Sequence, residues 1–376
     1  MIENERRIAA YPNQEAVHVK LDPLFNDPRA VLVSRTPVSN PVRESDYIRA
    51  AKTVLAAMQA QLEGEKAVLK PNITVGELYQ DPDSGVTTHP AFVQGLIEYL
   101  QARGVKRGGC YILEDPRDTD DNEPRHWRGT GYPEVAQATG AKLRCPTSYT
   151  CVKKPVPQPL VFPTLNVSRL AAAPNTVLIN VPKLKTHNLA ITTLCLKNLM
   201  GAVNVYDRHY CTQAWREMPD EQRYAAQGGA TARRTVRPRS EWLDAEGHER
   251  WQNGLARRLA DTAKVLPAQL CIVEGVVGRD GTGFRRGNNV PLGLVIAGTN
   301  PVAVDSVASY LMGYDPQALI YLNVAAEAGL GTNVLSELHT YVVQDGAIAA
   351  CPNLSALRAD PPLRAITNIQ GDLHQA

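Results

Sequence analysis

Short, continuously apolar segments alternate along this chain with longer segments that have the 3.6-residue periodicity of helices. The apolar segments lie at residues 30–35, 67–70, 110–115, 176–181, 270–278 and 292–300. Between them, the segment at 88–104 places Pro90 near the first turn of a helix and Gly104 at its end. Strands without polar alternation are buried on both faces. The sequence therefore predicts an α/β fold with a mainly parallel sheet covered by helices on both faces.

The length of 376 residues allows one large α/β domain or two lobes. We expect an N-terminal arm at 1–28, an α/β domain at 29–350 with lobes at 29–165 and 166–350, and a C-terminal tail at 351–376. Within the domain, apolar segments stop between residues 204 and 250, and arginines outnumber acidic residues up to position 240. This basic insertion is either a passive surface loop or a lid over a site.

The net charge and the hydropathy pattern exclude several classes of partner. The net charge is only +2, and no aromatic residues interleave with the arginines at 227–240, so we expect no nucleic-acid binding. No apolar segment reaches the ~18 residues of a membrane span. No apolar segment follows Arg6 and Arg7 as in a secretory signal. We therefore expect a cytoplasmic protein without membrane contact, and the sequence leaves a homo-oligomer open.

The cysteines indicate reduced thiols. The chain contains 7 of them, they are scattered, and none forms a C-x-x-C pair. This spacing argues against a local iron–sulfur or zinc motif. A chain of this length needs no disulfides to stabilise its core, so reduced cysteines in a cytoplasm are expected.

Polar residues follow several predicted strands, where parallel sheets bind ligands beyond the carboxyl ends of their strands. They are Lys70 and Asn72, Glu114 and Asp115, Lys183, Lys185 and His187, and Asp280, Gly281 and Gly283. Lys197 and Asn198 lie at the end of a predicted short helix, and Asp305 lies in the helix that follows residue 300. We expect these groups to converge at one edge of the sheet.

The four lysines of this set repel one another unless something negative compensates their charges. Internal carboxylates could form a buried ion-pair network, but desolvation offsets much of the attraction within such pairs. A bound anion is therefore the favoured interpretation. The glycines at 281 and 283 could bring backbone N–H groups close to this anion, although the segment is not a P-loop.

The candidate catalytic residues are His187, Lys185 and Lys197. The neighbouring lysines should lower the pKa of His187 and leave a neutral imidazole that accepts a proton near pH 7. The candidate substrate-binding residues are Lys70, Asn72, His89, Lys183, Asn198, Asp280, Gly281 and Gly283. The cofactor is open, and Glu114, Asp115 and Asp280 are the candidate ligands of a divalent metal.

Five motifs occur in order along the chain: LKPN at 69–72, VPKLKTH at 181–187, LKNLMG at 196–201, VEGVVGRDGTG at 273–283 and AGTNPVAVDSVASYLMGYDP at 297–316. Together they resemble the uncharacterised bacterial and archaeal family known as domain of unknown function number 362. The resemblance covers most of residues 30–330 and implies an α/β domain, but no reaction. Relatives that carry an added ferredoxin-type module look like iron–sulfur proteins, and this chain has no such cysteine cluster. It also has Glu274 where the family often has aspartate, and Phe284 where it often has proline.

Three functional hypotheses follow from these residues. The leading one is an enzyme that binds a small carboxylate- or phosphate-bearing molecule and uses acid–base chemistry, as an isomerase, a lyase or a transferase. The second is a metal- or redox-cofactor enzyme that uses His187, Glu114, Asp115 and Cys195. The third is a non-catalytic protein that binds an anionic metabolite in the same pocket.

Overall fold

A computed structural model describes residues 18–64, 66–73, 83–218, 245–283, 286–344 and 346–367. The strands are β1 (Val19–Lys20), β2 (Ala30–Arg35), β3 (Gln61–Leu62), β4 (Ala67–Pro71), β5 (Cys110–Leu113), β6 (Lys142–Arg144), β7 (Cys151–Pro155), β8 (Thr164–Ser168), β9 (Val177–Val181), β10 (Lys183–His187), β11 (Ile191–Thr193), β12 (Leu270–Arg279), β13 (Asn289–Gly298), β14 (His339–Gln344) and β15 (Ala347–Ala350). The helices are α1 (Glu44–Ala57), α2 (Pro90–Ala102), α3 (Tyr132–Thr139), α4 (Cys195–Asn198), α5 (Tyr210–Arg216), α6 (Ala245–Val265), α7 (Pro301–Met312) and α8 (Ile320–Glu327).

One large sheet of 11 strands organises the molecule. Its main path has the order β15-β14-β2-β13-β12-β9-β4-β5-β6, while β10 pairs with β12 and β11 pairs with β10. Strands β12, β9, β4, β5 and β6 run parallel to one another, as do β14 and β2. Strand β13 is antiparallel to both of its neighbours. The predicted α/β class with a mostly parallel sheet is confirmed.

The sheet is buried on both faces because its apolar strands send alternate side chains to two separate cores. On β4, Val68 packs in the core that also contains apolar residues of α4 to α8. Its neighbour Leu69 packs in the second core, with apolar residues of α1, α2 and α3. The continuous apolar segments in the sequence therefore correspond to strands covered by helices on both faces.

Strands from the two expected lobes alternate within this one sheet, since β2, β4, β5 and β6 precede residue 166 whereas β9, β12, β13 and β14 follow it. The domain boundaries themselves stay a prediction. In the basic insertion, residues 219–244 lie outside the described part of the chain. On its described flanks, α5 packs against α6, and the rings of Trp215 and Trp251 are 5.0 Å apart.

The direction of β13 corrects the expected position of Asp305. Because β13 runs antiparallel to β12, its carboxyl end pairs with the beginning of β12, at the opposite edge of the sheet. The carboxylate of Asp305 instead accepts hydrogen bonds from the N–H groups of Cys195 and Leu196, at 2.7 and 3.0 Å. Asp305 therefore holds the first turn of α4, the short helix that carries Lys197.

Candidate functional site

The lysine-rich segment lies within the sheet rather than beyond it. Strand β9 pairs with the beginning of β12, and after Pro182 the chain continues as β10 along the same neighbour. In this register Lys183 lies opposite Glu274 and Lys185 lies opposite Arg279. The pairing register between β10 and β12 shifts between these two pairs. Lys183 and Lys185 therefore lie beside different residues of β12.

Lys183 is neutralised inside the protein. Its Nζ lies 2.6 Å from Oε2 of Glu274, and both side chains are fully buried. Glu274 also accepts the N–H of His89 at 3.2 Å and the N–H of Val276 at 2.9 Å. Burial lowers the pKa of Lys183, and the attraction of Glu274 opposes this effect. Lys183 is therefore already compensated without a ligand.

Lys70 forms a second internal pair. Its Nζ lies 2.6 Å from Oε2 of Glu114 and also donates to the carbonyl oxygen of Pro71 at 2.6 Å. Gly201 lies directly over this pair, and a Cβ at this position would collide with both Lys70 and Glu114. The motif that ends in Gly201 thus leaves room for a buried ion pair.

Asn198 joins α4 to the sheet. Its Nδ2 donates to the carbonyl oxygen of Lys70 at 2.7 Å and to Oδ1 of Asn180 at 2.8 Å. Asn180 in turn donates to the carbonyl oxygen of Cys195 at 2.8 Å. Asn180 has a structural role in the site that the sequence did not indicate, because it lies inside an apolar strand. Together with Asp305, these contacts fix the helix that carries Lys197.

Lys185 has a different environment from Lys70 and Lys183. Its Nζ donates to the carbonyl oxygen of Val86 at 2.8 Å. Burial lowers its pKa well below the ordinary value, and the charges of Lys197, Lys183 and Arg279 lower it further. The opposing attraction of Glu114 is weaker than each of these contributions. Burial and the neighbouring cations therefore disfavour the ammonium form of Lys185.

Lys197 provides the positive charge beside Lys185. It is half-buried, and its ammonium forms no hydrogen bond or ion pair with the residues that the structure describes. The same charge contributes to the low pKa of His187, for which burial is the largest cause. Lys197 is thus an ammonium group that neighbouring described carboxylates do not neutralise.

The hydrogen bonds of His187 define its tautomer. Its Nδ1 accepts from the N–H groups of Leu189 and Ala190, at 3.0 and 3.1 Å. The low pKa keeps the ring neutral, so the single hydrogen lies on Nε2. In this arrangement His187 presents a donor at Nε2, and its accepting nitrogen is occupied. The ring therefore offers a hydrogen-bond donor, and not the free acceptor nitrogen that the expected proton acceptor requires.

The glycine loop after β12 differs from the expected anion cradle. The backbone N–H groups of Asp280, Gly281, Thr282 and Gly283 all donate to backbone carbonyl oxygens of the protein. The side chain of Asp280 accepts from the backbone N–H and Nδ2 of Asn288. These bonds close the turn between β12 and β13 and, through the Gly281 N–H, join it to Arg364, so this loop offers no spare amide at 280–283 to an anion.

A profile of the family described as "Domain of unknown function (DUF362)" matches residues 67–310. The chain belongs to this family. A relative of this DUF362 chain is a thylakoid-associated protein of Synechocystis sp., 25% identical over 296 residues that cover 75% of this chain and 77% of the relative. Among solved structures, the lactate racemase apoprotein of Thermoanaerobacterium thermosaccharolyticum is similar with a TM-score of 0.40 and 13% identity. That match covers 75% of this chain and 57% of the racemase chain.

His89 precedes α2 as its N-cap, and Asn72 directly follows β4 in this DUF362 protein. His89 caps the helix by accepting the N–H of Ala91 at 3.2 Å, and its ring stacks on Tyr47 at 4.0 Å. Burial, and then the charge of Lys183, lower its pKa to about 3. Asn72 exchanges hydrogen bonds with Thr88 through its backbone. His89 therefore caps α2, and Asn72 joins the end of β4 to the segment before this helix.

The candidate metal ligands of the DUF362 domain have other partners. Glu114 binds Lys70, and Oδ2 of Asp115 accepts from Arg208 at 2.8 Å. Within the described ranges, no group of three or more histidine, cysteine, aspartate or glutamate residues could hold a metal ion. Arg208 belongs to the basic insertion at 204–250, which the sequence predicted as a surface loop or a lid, yet it is buried and also bridges to Asp118. In the same ranges, no helix is long and apolar enough to cross a membrane.

Proposed function

We propose that this protein is an enzyme that binds a small carboxylate- or phosphate-bearing molecule against Lys197 and transfers a proton with Lys185. One observation carries the proposal. The Lys197 charge lowers the pKa of both Lys185 and His187, and no described carboxylate neutralises it. An anion bound here would relieve this repulsion, because opposite charges attract most strongly where water is excluded.

Each residue of the cluster has a distinct role in this proposal. Lys197 holds the anionic group of the substrate. Lys185 accepts a proton from the carbon next to that group, since burial and the neighbouring cations favour the amine form that can act as a base. The Nε2–H of His187 donates a hydrogen bond to the oxygen on which charge develops. Lys70 and Lys183 act indirectly, through the ion pairs that hold the surrounding strands.

Anion binding is tested by thermal unfolding of the whole protein with phosphate, sulfate, malonate and succinate at fixed ionic strength. A ligand that binds only the folded state raises the melting temperature. We expect stabilisation by at least one anion, and a smaller effect in Lys197→Met than in Lys153→Met, which removes an exposed lysine. Equal responses of the two variants would contradict the assignment of Lys197.

Proton transfer is tested by incubating the protein with small carboxylic acids in D₂O. Nuclear magnetic resonance then follows the loss of the hydrogen on the carbon next to the carboxylate. We expect exchange in the parent protein and none in Lys185→Met. Anion binding without any exchange across the panel would favour the alternative of a non-catalytic protein that binds an anionic metabolite.

A further inference from the structure

A short turn follows His187 and connects β10 to β11. It consists of residues 188–190, because His187 and Ile191 lie opposite each other in the two strands. Helix α6 lies beside this turn, and Nε2 of its residue Gln252 donates to the carbonyl oxygen of Leu189 at 2.5 Å. One side chain of α6 therefore binds directly to the backbone of the turn.

A second side chain of α6 binds the same turn. His248 lies four residues before Gln252, and residues with this spacing share one face of a helix. The backbone of Asn188 forms a hydrogen bond with the His248 ring and raises the pKa of this ring. Such a bond favours the protonated ring, so the Asn188 carbonyl is the acceptor. Nε2 of His248 has no partner among the described residues, so the donor is the N–H at Nδ1.

Two peptide groups connect these α6 side chains to one nitrogen of His187. The carbonyl of Asn188 and the N–H of Leu189 belong to the same planar, trans peptide group, so they point in opposite directions. That N–H donates to Nδ1 of His187 at 3.0 Å. The next peptide group repeats the arrangement, because Gln252 binds the Leu189 carbonyl and the N–H of Ala190 donates to Nδ1 at 3.1 Å. Each carbonyl oxygen is therefore bound by α6, and each N–H is bound by His187.

We infer that His248 and Gln252 are positioning residues that fix the tautomer and the orientation of His187 through these two peptide groups. Hydrogen bonds in a chain polarise one another, so a donor on the carbonyl oxygen strengthens the hydrogen bond made by the N–H of the same group. The same donors limit rotation of the peptide planes and keep both N–H groups directed at Nδ1. Nδ1 thus stays an acceptor, and the single hydrogen of the neutral ring stays on Nε2.

This inference deepens the proposed function and rests on it for its catalytic consequence. In that function the Nε2–H of His187 donates to the substrate oxygen on which charge develops. The other tautomer would present a lone pair at Nε2 and repel this oxygen. His248 belongs to the range 204–250 that the sequence predicted as a surface loop or a lid, yet its exposed fraction is only 3%. The end of that range therefore supports the site from within the protein.

The test is nuclear magnetic resonance of the full-length protein labelled with ¹⁵N-histidine at pH 7, where the low pKa of His187 keeps its ring neutral. A ring nitrogen with a hydrogen and one with a lone pair have well-separated ¹⁵N chemical shifts, and His187→Gln identifies the His187 signals by their loss. We expect a hydrogen on Nε2 alone in the parent protein. The double variant His248→Leu with Gln252→Met removes both donors, so the two His187 nitrogen signals should move toward each other as both tautomers are populated.

Two further variants separate positioning from a general effect on the fold. His248→Asn keeps an N–H donor near the place of Nδ1 and should retain the parent signals of His187, whereas His248→Leu alone should shift them. Asn253→Ala is the matched control, because the Asn253 side chain donates to the carbonyl oxygen of Glu249 within α6, at 3.1 Å. It should leave His187 unchanged. A lower melting temperature of His248→Leu without any movement of the His187 signals would show a structural role only and would overturn the inference.

The outcomes also separate this inference from the proposed function. Unchanged His187 signals in the double variant overturn the positioning role, whatever the anion and deuterium-exchange experiments show. Signals that move as expected support it even if no carboxylic acid exchanges its hydrogen, a result that would count against the proposed function alone. Where the parent protein does exchange, the double variant should lose this activity and His248→Asn should keep it. Circular dichroism verifies folding, and the single variants at position 248 provide the same comparison if the double variant does not fold.

Discussion

Lys183 and Glu274 lie opposite each other on neighbouring parallel strands, with Nζ of the lysine 2.6 Å from Oε2 of the glutamate and neither side chain exposed. Lys70 and Glu114 form a similar buried pair at the same distance. Lysines that look alike in the sequence therefore divide into two kinds. Lys70 and Lys183 are neutralised by glutamates, whereas Lys185 lies close to the charges of Lys197, Lys183 and Arg279, which lower its pKa.

Removal of Lys183 should destabilise the fold. Lys183→Met leaves the Glu274 carboxylate buried without its cation, which costs about 3–5 kcal/mol in comparable pairs. Lys52→Met is the matched control, because Lys52 and Glu98 also form a 2.6 Å pair but are partly exposed. The control should cost less than about 1 kcal/mol. Urea unfolding of both variants measures the difference, and equal losses would contradict the role of the buried pair.

The double variant Lys183→Met with Glu274→Gln should be more stable than Lys183→Met alone. Glutamine removes the unpaired charge and keeps an oxygen that can accept the N–H of His89 or Val276. The same unfolding experiment completes a double-mutant cycle for the pair. If the change in the free energy of unfolding of the double variant equalled the sum of the two single changes, Lys183 and Glu274 would not be energetically coupled.

Replacement of Gly201 by alanine should disrupt the second pair. The new methyl group would overlap the Lys70 ammonium and the Glu114 carboxylate, and forced repacking typically costs about 1–3 kcal/mol. Gly329→Ala is the comparison, because a Cβ there meets open space and only the positive φ of 74° opposes it. We also expect weaker anion binding in Gly201→Ala and unchanged anion binding in Gly329→Ala. A Gly201→Ala variant as stable as the parent would show that Lys70 and Glu114 make room for the methyl group without loss of stability.

Stability should fall below pH ~6.5, the ordinary histidine pKa. Burial lowers the pKa of His248 to about 4, and His89 has a pKa of about 3. A folded-state pKa below the unfolded value means that unfolding takes up protons between the two values. The resulting stability is complete above the unfolded pKa and is lost as pH falls toward the folded pKa. Each such histidine contributes a slope of about 1.4 kcal/mol per pH unit.

Urea unfolding at a series of pH values between 4 and 8 measures this slope. His248→Gln should reduce it by the contribution of one proton. Asp305 acts in the opposite direction, because burial raises its pKa to about 7 and the folded state then holds a proton that the unfolded state releases. Its contribution to stability is lost as pH rises from the unfolded carboxyl pKa through about 7. Asp305→Asn should therefore steepen the net loss of stability on acidification.

Lys197→Met should raise the pKa of His187. The charge of Lys197 is the second cause of the low His187 pKa, after burial. His248 and His89 are internal controls, because Lys197 does not contribute to their shifts. Titration of the histidine ring signals by nuclear magnetic resonance should show a change at His187 alone. An unchanged His187 pKa would mean that the two side chains are further apart than the proposed site requires.

The sequence by itself determined the α/β class, several of the strands and helices, and the lysine-rich segments from which the candidate site is built. Continuous apolar segments and helix signals are local patterns, and they predicted a mostly parallel sheet with helices on both faces. The spacing in VPKLKTH and LKNLMG also placed Lys183, Lys185, His187 and Lys197 close enough to interact. Local periodicity reports which surfaces a segment buries, so these features needed no knowledge of distant partners.

Only the tertiary structure decided which charges are compensated. Glu274 lies 91 positions from Lys183, and Glu114 lies 44 positions from Lys70, so no local pattern could pair them. The antiparallel direction of β13 placed its carboxyl end at the opposite edge, Asp305 became the partner of two backbone N–H groups of α4, and two other backbone N–H groups fixed the tautomer of His187. Electrostatic pairing depends on distance and burial in three dimensions. The sequence therefore revealed a lysine cluster, and the fold separated its structural lysines from its candidate chemical ones.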